Sequence, residues 1–137
     1  MFSRTTSLVS AFALSALLAT AQERVNWASQ APGDFAVLPN ITYLTASNYQ
    51  AKLDVYKPRP AQGLRPVMVL IHGGGWVAGT KEASVMQILP YLEMGWAVVN
   101  VEYRLGPVAG APAAVEDCLC ALKWVIRHSK EHNFDTS

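Results

Sequence analysis

An apolar, largely β-branched run ends in three consecutive glycines near the middle of the chain, and this junction constrains the fold most. Residues Val67–Ile71 predict a buried strand, and His72 and then Gly73–Gly75 follow it directly. Glycines lack a β-carbon, so three in succession predict a loop whose backbone comes close to a ligand or to another segment. Their exposed N–H groups can bind an anion, or the negative oxygen that develops in a transition state.

The patterns on both sides of this junction predict alternating strands and helices. Two strands precede it, Ile41–Leu44 and Lys52–Tyr56, and the second alternates as a half-exposed strand does. After it, apolar residues at helical spacing predict a helix between Thr80, a plausible N-cap, and Gly95, and Trp96–Val101 predicts a further strand. Two buried strands joined by a helix favour a parallel βαβ unit. We therefore expect an α/β fold: a mostly parallel sheet, two antiparallel-type leading strands at its edge, and helices on its faces.

The clearest helix lies near the C-terminal end of the sequence. Its cysteines, Cys118 and Cys120, lie two residues apart, where their β-carbons diverge, so we expect them to be free thiols. The stripe that we expect to face the core consists of Val115, Cys118, Leu119, Leu122, Val125 and Ile126.

Residues 1–21 have the features of a removable secretory signal peptide. Arg4 supplies a positive charge, Leu8–Leu18 is apolar, and Ala19–Ala21 offers a small-residue cleavage site. The alternative, a membrane anchor, is disfavoured because the apolar run is shorter than the roughly 20 residues that span a bilayer. We expect a secreted or periplasmic protein with an irregular lead-in at residues 22–40 and a single domain at 41–137.

The balance of charge bears on possible partners. Without Arg4, the eleven basic residues become ten, against ten acidic residues. A neutral chain of this kind has no electrostatic footprint for nucleic acid, and we expect no membrane contact after the signal is removed. The sequence leaves the oligomeric state open.

One interpretation of the glycine loop is a dinucleotide site in an oxidoreductase. Gly73–Ala78 fits the pattern G-x-G-x-x-G/A, and Glu102 ends the next strand, where an acid can bind a ribose hydroxyl. The bulky Trp76 and a helix that begins only near Thr80 count against this interpretation, because pyrophosphate needs a bare turn next to a helix N-terminus. A secretory signal also points away from pyridine-nucleotide pools.

The other interpretation is an oxyanion hole, because a loop of the sequence H-G-G-G after the third strand supplies backbone donors in α/β-hydrolases. Three further motifs accompany His72–Trp76 in order and spacing: Leu53–Tyr56, Tyr103–Leu105 and Pro112–Asp117. Together they resemble the α/β-hydrolase esterases of the hormone-sensitive-lipase-like type. The branch that they resemble most contains bacterial acetyl-xylan and feruloyl esterases and is BD-FAE-like.

This resemblance implies the N-terminal half of an α/β-hydrolase fold and hydrolysis of small-molecule or carbohydrate esters without a cofactor. It assigns the oxyanion N–H groups to Gly74 and Gly75, with support from His72 and Gly73. The nucleophilic Ser of a G-x-S-x-G motif, the triad acid and the triad His are expected beyond residue 137, and the 137 residues contain no such motif. We therefore expect the chain alone to be inactive. A non-catalytic secreted binding module remains an alternative.

The remaining candidate residues suggest architecture more than chemistry. Arg104 ends a strand and Asp117 lies in the first turns of the next helix, so the two can form an ion pair near the glycine loop. Trp76 can line a substrate pocket. His128 and His132 have a spacing that can bind a metal, but the sequence offers no third ligand, so we expect no metal site.

Overall fold

The computed structural model describes residues 33–59 and 63–137. The predicted signal peptide and most of the lead-in lie outside these residues. The sheet and its helices form one compact unit, Phe35–Ser137. Its elements in chain order are β1 (Phe35–Ala46), β2 (Tyr49–Pro58), β3 (Arg65–Ile71), a 3-10 turn (Glu82–Ser84), α1 (Val85–Glu93), β4 (Ala97–Val101), α2 (Ala111–Arg127), α3 (Ser129–His132) and β5 (Phe134–Asp135). Within the described ranges, every helix is too short or too polar to cross a bilayer.

The five strands form one sheet in the order β1-β2-β4-β3-β5. Strand β2 is antiparallel to both β1 and β4, whereas β3 is parallel to both β4 and β5. The sheet is therefore mixed, and the prediction of a mostly parallel sheet was wrong. A two-residue turn at Ser47 and Asn48, both with positive φ, folds β2 back along β1, as in a tight hairpin. Strand β2 then pairs with the central β4, so it is an interior strand and not an edge.

Strand β1 begins earlier than the sequence pattern indicated. The stretch 35–40 belongs to the sheet, although we predicted an irregular lead-in through residue 40. A register shift between Leu38 and Ile41 interrupts the pairing with β2, and Asn40 adopts a φ of 59° there. The Asn40 N–H donates to Oδ1 of Asp54 at 2.7 Å. This bulge breaks the two-residue alternation that identifies a strand, which is why the pattern hid its first half.

The predicted βαβ unit is present as β3, α1 and β4. The Thr80 hydroxyl accepts a hydrogen bond from the Ala83 N–H at 3.3 Å, in the turn before α1. Gly95 ends the helix with a φ of 83° and donates to the Leu92 carbonyl at 3.0 Å. Every residue of β4 is buried, because α1 packs on one face of the sheet and α2 covers the other. Because β3 and β4 are parallel, their C-terminal ends lie side by side at one end of the sheet, and the glycine loop begins there.

Helix α2 turns a different face to the sheet than the one we predicted. The side chains of the predicted stripe that lie outward are between 46% and 54% exposed: Val115, Leu119, Leu122 and Ile126. The buried residues are instead Ala114, Asp117, Ala121, Trp124 and Val125. This set also repeats at helical spacing, and its two alanines allow the helix axis to come close to the strands. Cys118 and Cys120 are half-buried free thiols, as expected.

Strand β3 forms the open side of the sheet. Among the described residues, its outer edge pairs only at Arg65 and Pro66, with Phe134 and Asp135 of β5. The remaining edge of β3 leads to Ile71, which is exposed. The unpaired edge therefore lies beside the exposed face of α2, on the side of the sheet that leads into the glycine loop.

Candidate active site

The glycine loop runs from His72 to Thr80 between β3 and the 3-10 turn, and its shape requires glycine. The N–H groups of Val77 and Ala78 both donate to the Gly74 carbonyl, at 3.2 Å and 3.1 Å. Gly74 has a φ of 128°, and a β-carbon there would overlap the Ala78 carbonyl oxygen. Gly75 and Trp76 follow with φ values of 61° and 68°. The chain therefore reverses in a compact turn that a side chain at Gly74 would disrupt.

The N–H groups of Gly74 and Gly75 are the donors that the resemblance singled out. Within the described part of the chain, neither donates to a backbone acceptor, and both residues are exposed. The loop's internal hydrogen bonds use the N–H groups of Val77 and Ala78 instead. The Trp76 carbonyl accepts from the Gly106 N–H at 2.7 Å, which ties the middle of the loop to the segment after β4. Two adjacent donors thus stay available on a turn that is closed by the bonds of Val77 and Ala78 to Gly74.

His72 anchors the start of the loop and is buried. Its Nδ1 lies 2.8 Å from the Gly73 carbonyl oxygen, so Nδ1 carries the proton, because a carbonyl oxygen only accepts. The Tyr103 ring stacks on the imidazole with centroids 4.4 Å apart, and its hydroxyl donates to the His72 carbonyl at 2.9 Å. Trp76 also meets the Tyr103 ring edge-on, with centroids 5.3 Å apart. His72 is therefore held in place at the start of the glycine turn by its contacts with Gly73 and Tyr103.

Lys81 anchors the end of the loop, and the sequence patterns did not reveal this role. Its Nζ lies 2.8 Å from Oδ2 of Asp54 and 2.7 Å from Oε1 of Glu82. Burial opposes the charge, but the hydrogen bonds to these two carboxylates outweigh it and raise the pKa of Lys81. Its N–H donates to Oε2 of Glu102 at 2.8 Å, and its carbonyl accepts from Nδ2 of Asn100 at 2.7 Å. The sequence near Lys81 offers only one acid, Glu82, as a signal, because its other partners, Asp54, Asn100 and Glu102, lie far away along the chain.

Arg104 and Asp117 form a bidentate ion pair between the segment that follows β4 and the first half of α2. The Arg104 Nε and Nη2 atoms lie 2.9 Å and 2.7 Å from the two Asp117 oxygens. The Arg104 backbone N–H also donates to Oδ2 at 2.9 Å, and both side chains are buried. The Asp117 carboxylate raises the pKa of Arg104 through its hydrogen bonds. The pair fixes the orientation of α2 relative to the strand that precedes it.

An apolar groove of about 340 Å³ opens beside the loop, between β3 and α2. Trp76 is exposed at its rim, next to the glycine turn. A larger cavity of about 540 Å³ lies between β1 and the end of α2, and none of its lining residues belongs to the loop. The groove is therefore the cavity that bears on the loop's chemistry. It is lined by Val69, Ile71, Trp76, Val115, Cys118, Leu119 and Leu122.

His128 and His132 line the larger cavity and are both engaged in local contacts. The Nδ1 atom of His128 lies 2.8 Å from the Trp124 carbonyl, and its ring stacks on Trp124 at 4.3 Å. His132 lies between Trp124 and Phe134, at 5.4 Å and 5.2 Å. Across residues 33–59 and 63–137, no three His, Cys, Asp or Glu side chains group closely enough to hold a metal ion. These histidines thus belong to an aromatic cluster at the end of α2.

Comparison with known proteins identifies a matching family and several related esterases. Residues 53–137 match the profile of the BD-FAE family. Hormone-sensitive lipase of Homo sapiens is 37% identical over 95 residues, which is 64% of this chain and 8% of the lipase. A bacterial heroin esterase superimposes with a TM-score of 0.65 at 35% identity, over 75% of this chain and 32% of that structure.

A further structure, brefeldin A esterase, a bacterial homologue of human hormone-sensitive lipase, superimposes with a TM-score of 0.66 at 28% identity. The match covers 74% of this chain and 29% of the esterase. The chain thus spans about a third of the length of the esterase structures that it matches. These matches show that the chain belongs to the BD-FAE family, among the hormone-sensitive-lipase-like α/β-hydrolase esterases.

Proposed function

We propose that this chain supplies the oxyanion-binding part of a serine-dependent carboxylic-ester hydrolase. The observation that carries the proposal is the pair of exposed amides at Gly74 and Gly75, which lack backbone acceptors within the described residues. Ester cleavage places negative charge on the substrate's carbonyl oxygen in the transition state. Two fixed N–H donors stabilise that charge without rearranging, and losing one donor costs about 3 kcal/mol of barrier height.

The apolar groove beside the loop can bind part of the substrate. Its lining is apolar, and Trp76 stands at the rim next to the two donors. An ester whose carbonyl lies on Gly74 and Gly75 would extend its apolar acyl or alcohol group into this groove. An acetylated or feruloylated carbohydrate is the substrate class that the family resemblance favours. An aromatic acyl group would gain most from the apolar lining, through contact with Trp76.

The nucleophile is the part that these 137 residues do not supply, because they contain no G-x-S-x-G motif. The purified chain is therefore expected to hydrolyse p-nitrophenyl acetate no faster than its Gly74→Val variant does. Turnover above that variant would contradict the proposal that the triad lies outside this sequence. We place the site of action outside the cytoplasm on the basis of the signal features of residues 1–21.

A chimera tests the oxyanion role directly. Residues 35–137 replace the matched segment of the bacterial heroin esterase, which keeps its own remaining residues. We expect the chimera to hydrolyse p-nitrophenyl acetate, and Gly74→Val to lower kcat by roughly 100-fold to 1,000-fold.

Gly73→Ala is the matched control, because a β-carbon there meets nothing within 4 Å. Circular dichroism of each chimera shows whether lost activity reflects lost fold. A folded Gly74→Val chimera with the kcat of its parent would overturn the assignment of the loop.

A further inference from the structure

Glu102 touches both ends of the glycine loop, although it lies outside the loop and directly after β4. Its Oε2 accepts the Lys81 N–H at 2.8 Å, and its Oε1 lies 3.4 Å from Nε2 of His72. His72 begins the loop and Lys81 follows its last residue. One carboxylate therefore joins the two points at which the chain enters and leaves the turn that carries Gly74 and Gly75.

The backbone of Glu102 is itself fixed to the sheet. Its N–H donates to the Lys52 carbonyl at 2.9 Å, and its carbonyl accepts the Tyr43 hydroxyl at 2.7 Å. These bonds come from β1 and β2, the strands on the far side of β4 from the loop. Glu102 is thus fixed to the sheet through its backbone, and the two contacts of its carboxylate link the sheet to both ends of the loop.

The Glu102 carboxylate lies next to the imidazole ring of His72. Since Nδ1 donates to the Gly73 carbonyl, the second ring nitrogen is left facing Glu102. Nε2 is buried and has no aligned hydrogen-bond partner among the described residues. Among the described residues, Oε1 of Glu102 at 3.4 Å is the polar contact recorded for this buried nitrogen, so the carboxylate packs directly against the ring.

We propose that Glu102 is a positioning residue that holds the oxyanion loop closed through His72 and Lys81. The proposal rests on the proposed function, because it states what keeps the two donors in place. Glu102 reaches no substrate atom in this role and acts only through the two loop ends. Stabilisation of a developing charge requires donors that are fixed before the reaction, so a loop tied at both ends serves it better than one tied at a single end.

The test uses the ¹⁵N-labelled chain and compares Glu102→Ala and Glu102→Gln with the parent by NMR. We expect Glu102→Ala to move the amide signals of both loop ends and to speed hydrogen exchange at the Lys81 amide by on the order of tenfold. Glu102→Gln keeps an oxygen for the Lys81 N–H and should restore that exchange rate. Glu102→Gln also removes the negative charge beside Nε2. The imidazole ¹⁵N signals of His72 should therefore shift in Glu102→Gln relative to the parent, although the Lys81 amide behaves alike in both proteins.

Glu93→Ala is the matched control, because it removes an exposed glutamate at the end of α1 and should change neither readout. If Glu102→Ala disturbs the Lys81 amide but leaves the His72 and Gly73 signals in place, the carboxylate only caps the 3-10 turn and the proposal fails. If Glu102→Ala does not fold, Glu102→Gln decides, and unchanged imidazole signals in it overturn the proposal. None of these readouts needs esterase turnover, so an inactive chimera would refute the proposed function without touching this result.

Discussion

Gly79 lies directly against the imidazole ring of His72, with no space between them for a side chain. A β-carbon on Gly79 would come 2.5 Å from Nδ1 of His72 and would also overlap the Gly73 carbonyl oxygen. The far end of the glycine loop thus folds back onto its start, and Gly74 packs against Ala78 in the same way. This close packing of the loop's backbone leaves the amides of Gly74 and Gly75 at its exposed turn.

Three of the loop's four glycines should therefore differ sharply in their tolerance of alanine. Gly79→Ala and Gly74→Ala place a β-carbon onto neighbouring atoms at φ values of 106° and 128°, so each should lower the free energy of unfolding by about 2 kcal/mol or more. Gly73→Ala meets open space at an ordinary φ and should leave stability unchanged or raise it by about 0.5 kcal/mol. Urea unfolding followed by circular dichroism measures all three, and equal losses would show that the loop is not packed as described.

The ion pair of Arg104 and Asp117 should show strong coupling in a double-mutant cycle. Arg104→Met or Asp117→Leu alone leaves one buried charge without its partner, which should cost about 3–5 kcal/mol of unfolding free energy. The double variant removes both charges and should lose much less than the sum of the two single losses. Chemical denaturation of the four proteins gives the coupling energy. Additive losses would mean that the two side chains do not act as a pair in solution.

The two possible core faces of α2 make opposite predictions for substitution. Leu119 is exposed, so Leu119→Gln should change the free energy of unfolding by no more than about 0.5 kcal/mol. Ala121 is fully buried against the sheet, so Ala121→Leu should overpack the contact and cost about 1–3 kcal/mol. Thermal unfolding of both variants distinguishes the faces, because the stripe expected from the sequence predicts the reverse order.

Much of this architecture could be predicted because its signals are local. The strands β3 and β4, the helix between them and the start of the glycine loop all follow from apolar runs, helical spacing and glycines. The pairing of Arg104 with Asp117 follows from their places at a strand end and in the next helix. Each of these features depends on residues close together in sequence, where periodicity and turn chemistry report directly on structure.

The features that escaped prediction depend on distant partners. Asp54 made β2 look half-exposed, yet this carboxylate is buried because Lys81, 27 residues later, pairs with it. Strand β2 therefore has both faces covered and lies inside the sheet. The role of Glu102 escaped prediction for the same reason, because its partners, His72 and Lys81, lie at the two ends of the loop and far from it along the chain. A buried charge looks like a surface charge in the sequence until the fold supplies its counter-charge.

His132 should make the stability of the chain depend on pH. Its burial among Trp124 and Phe134, with Lys57 adding a like charge, lowers its pKa below the ordinary value of 6.5. The unfolded chain therefore binds this proton more readily than the folded chain does. The contribution of His132 to the free energy of unfolding should be fully present above about pH 6.5 and should be lost as the pH falls below that value.

Unfolding free energies measured between about pH 8 and about pH 5 in the parent and in His132→Phe test this prediction. Phenylalanine keeps a ring between Trp124 and Phe134 but takes up no proton, so the variant should lose less stability over this range. His128→Phe is the matched comparison, because His128 stacks on the same Trp124 but is the smallest of the contributions to the shift of His132, so it should reduce the parent's pH dependence much less than His132→Phe does. If the parent and His132→Phe lose stability equally, the proton responsible binds elsewhere in the chain.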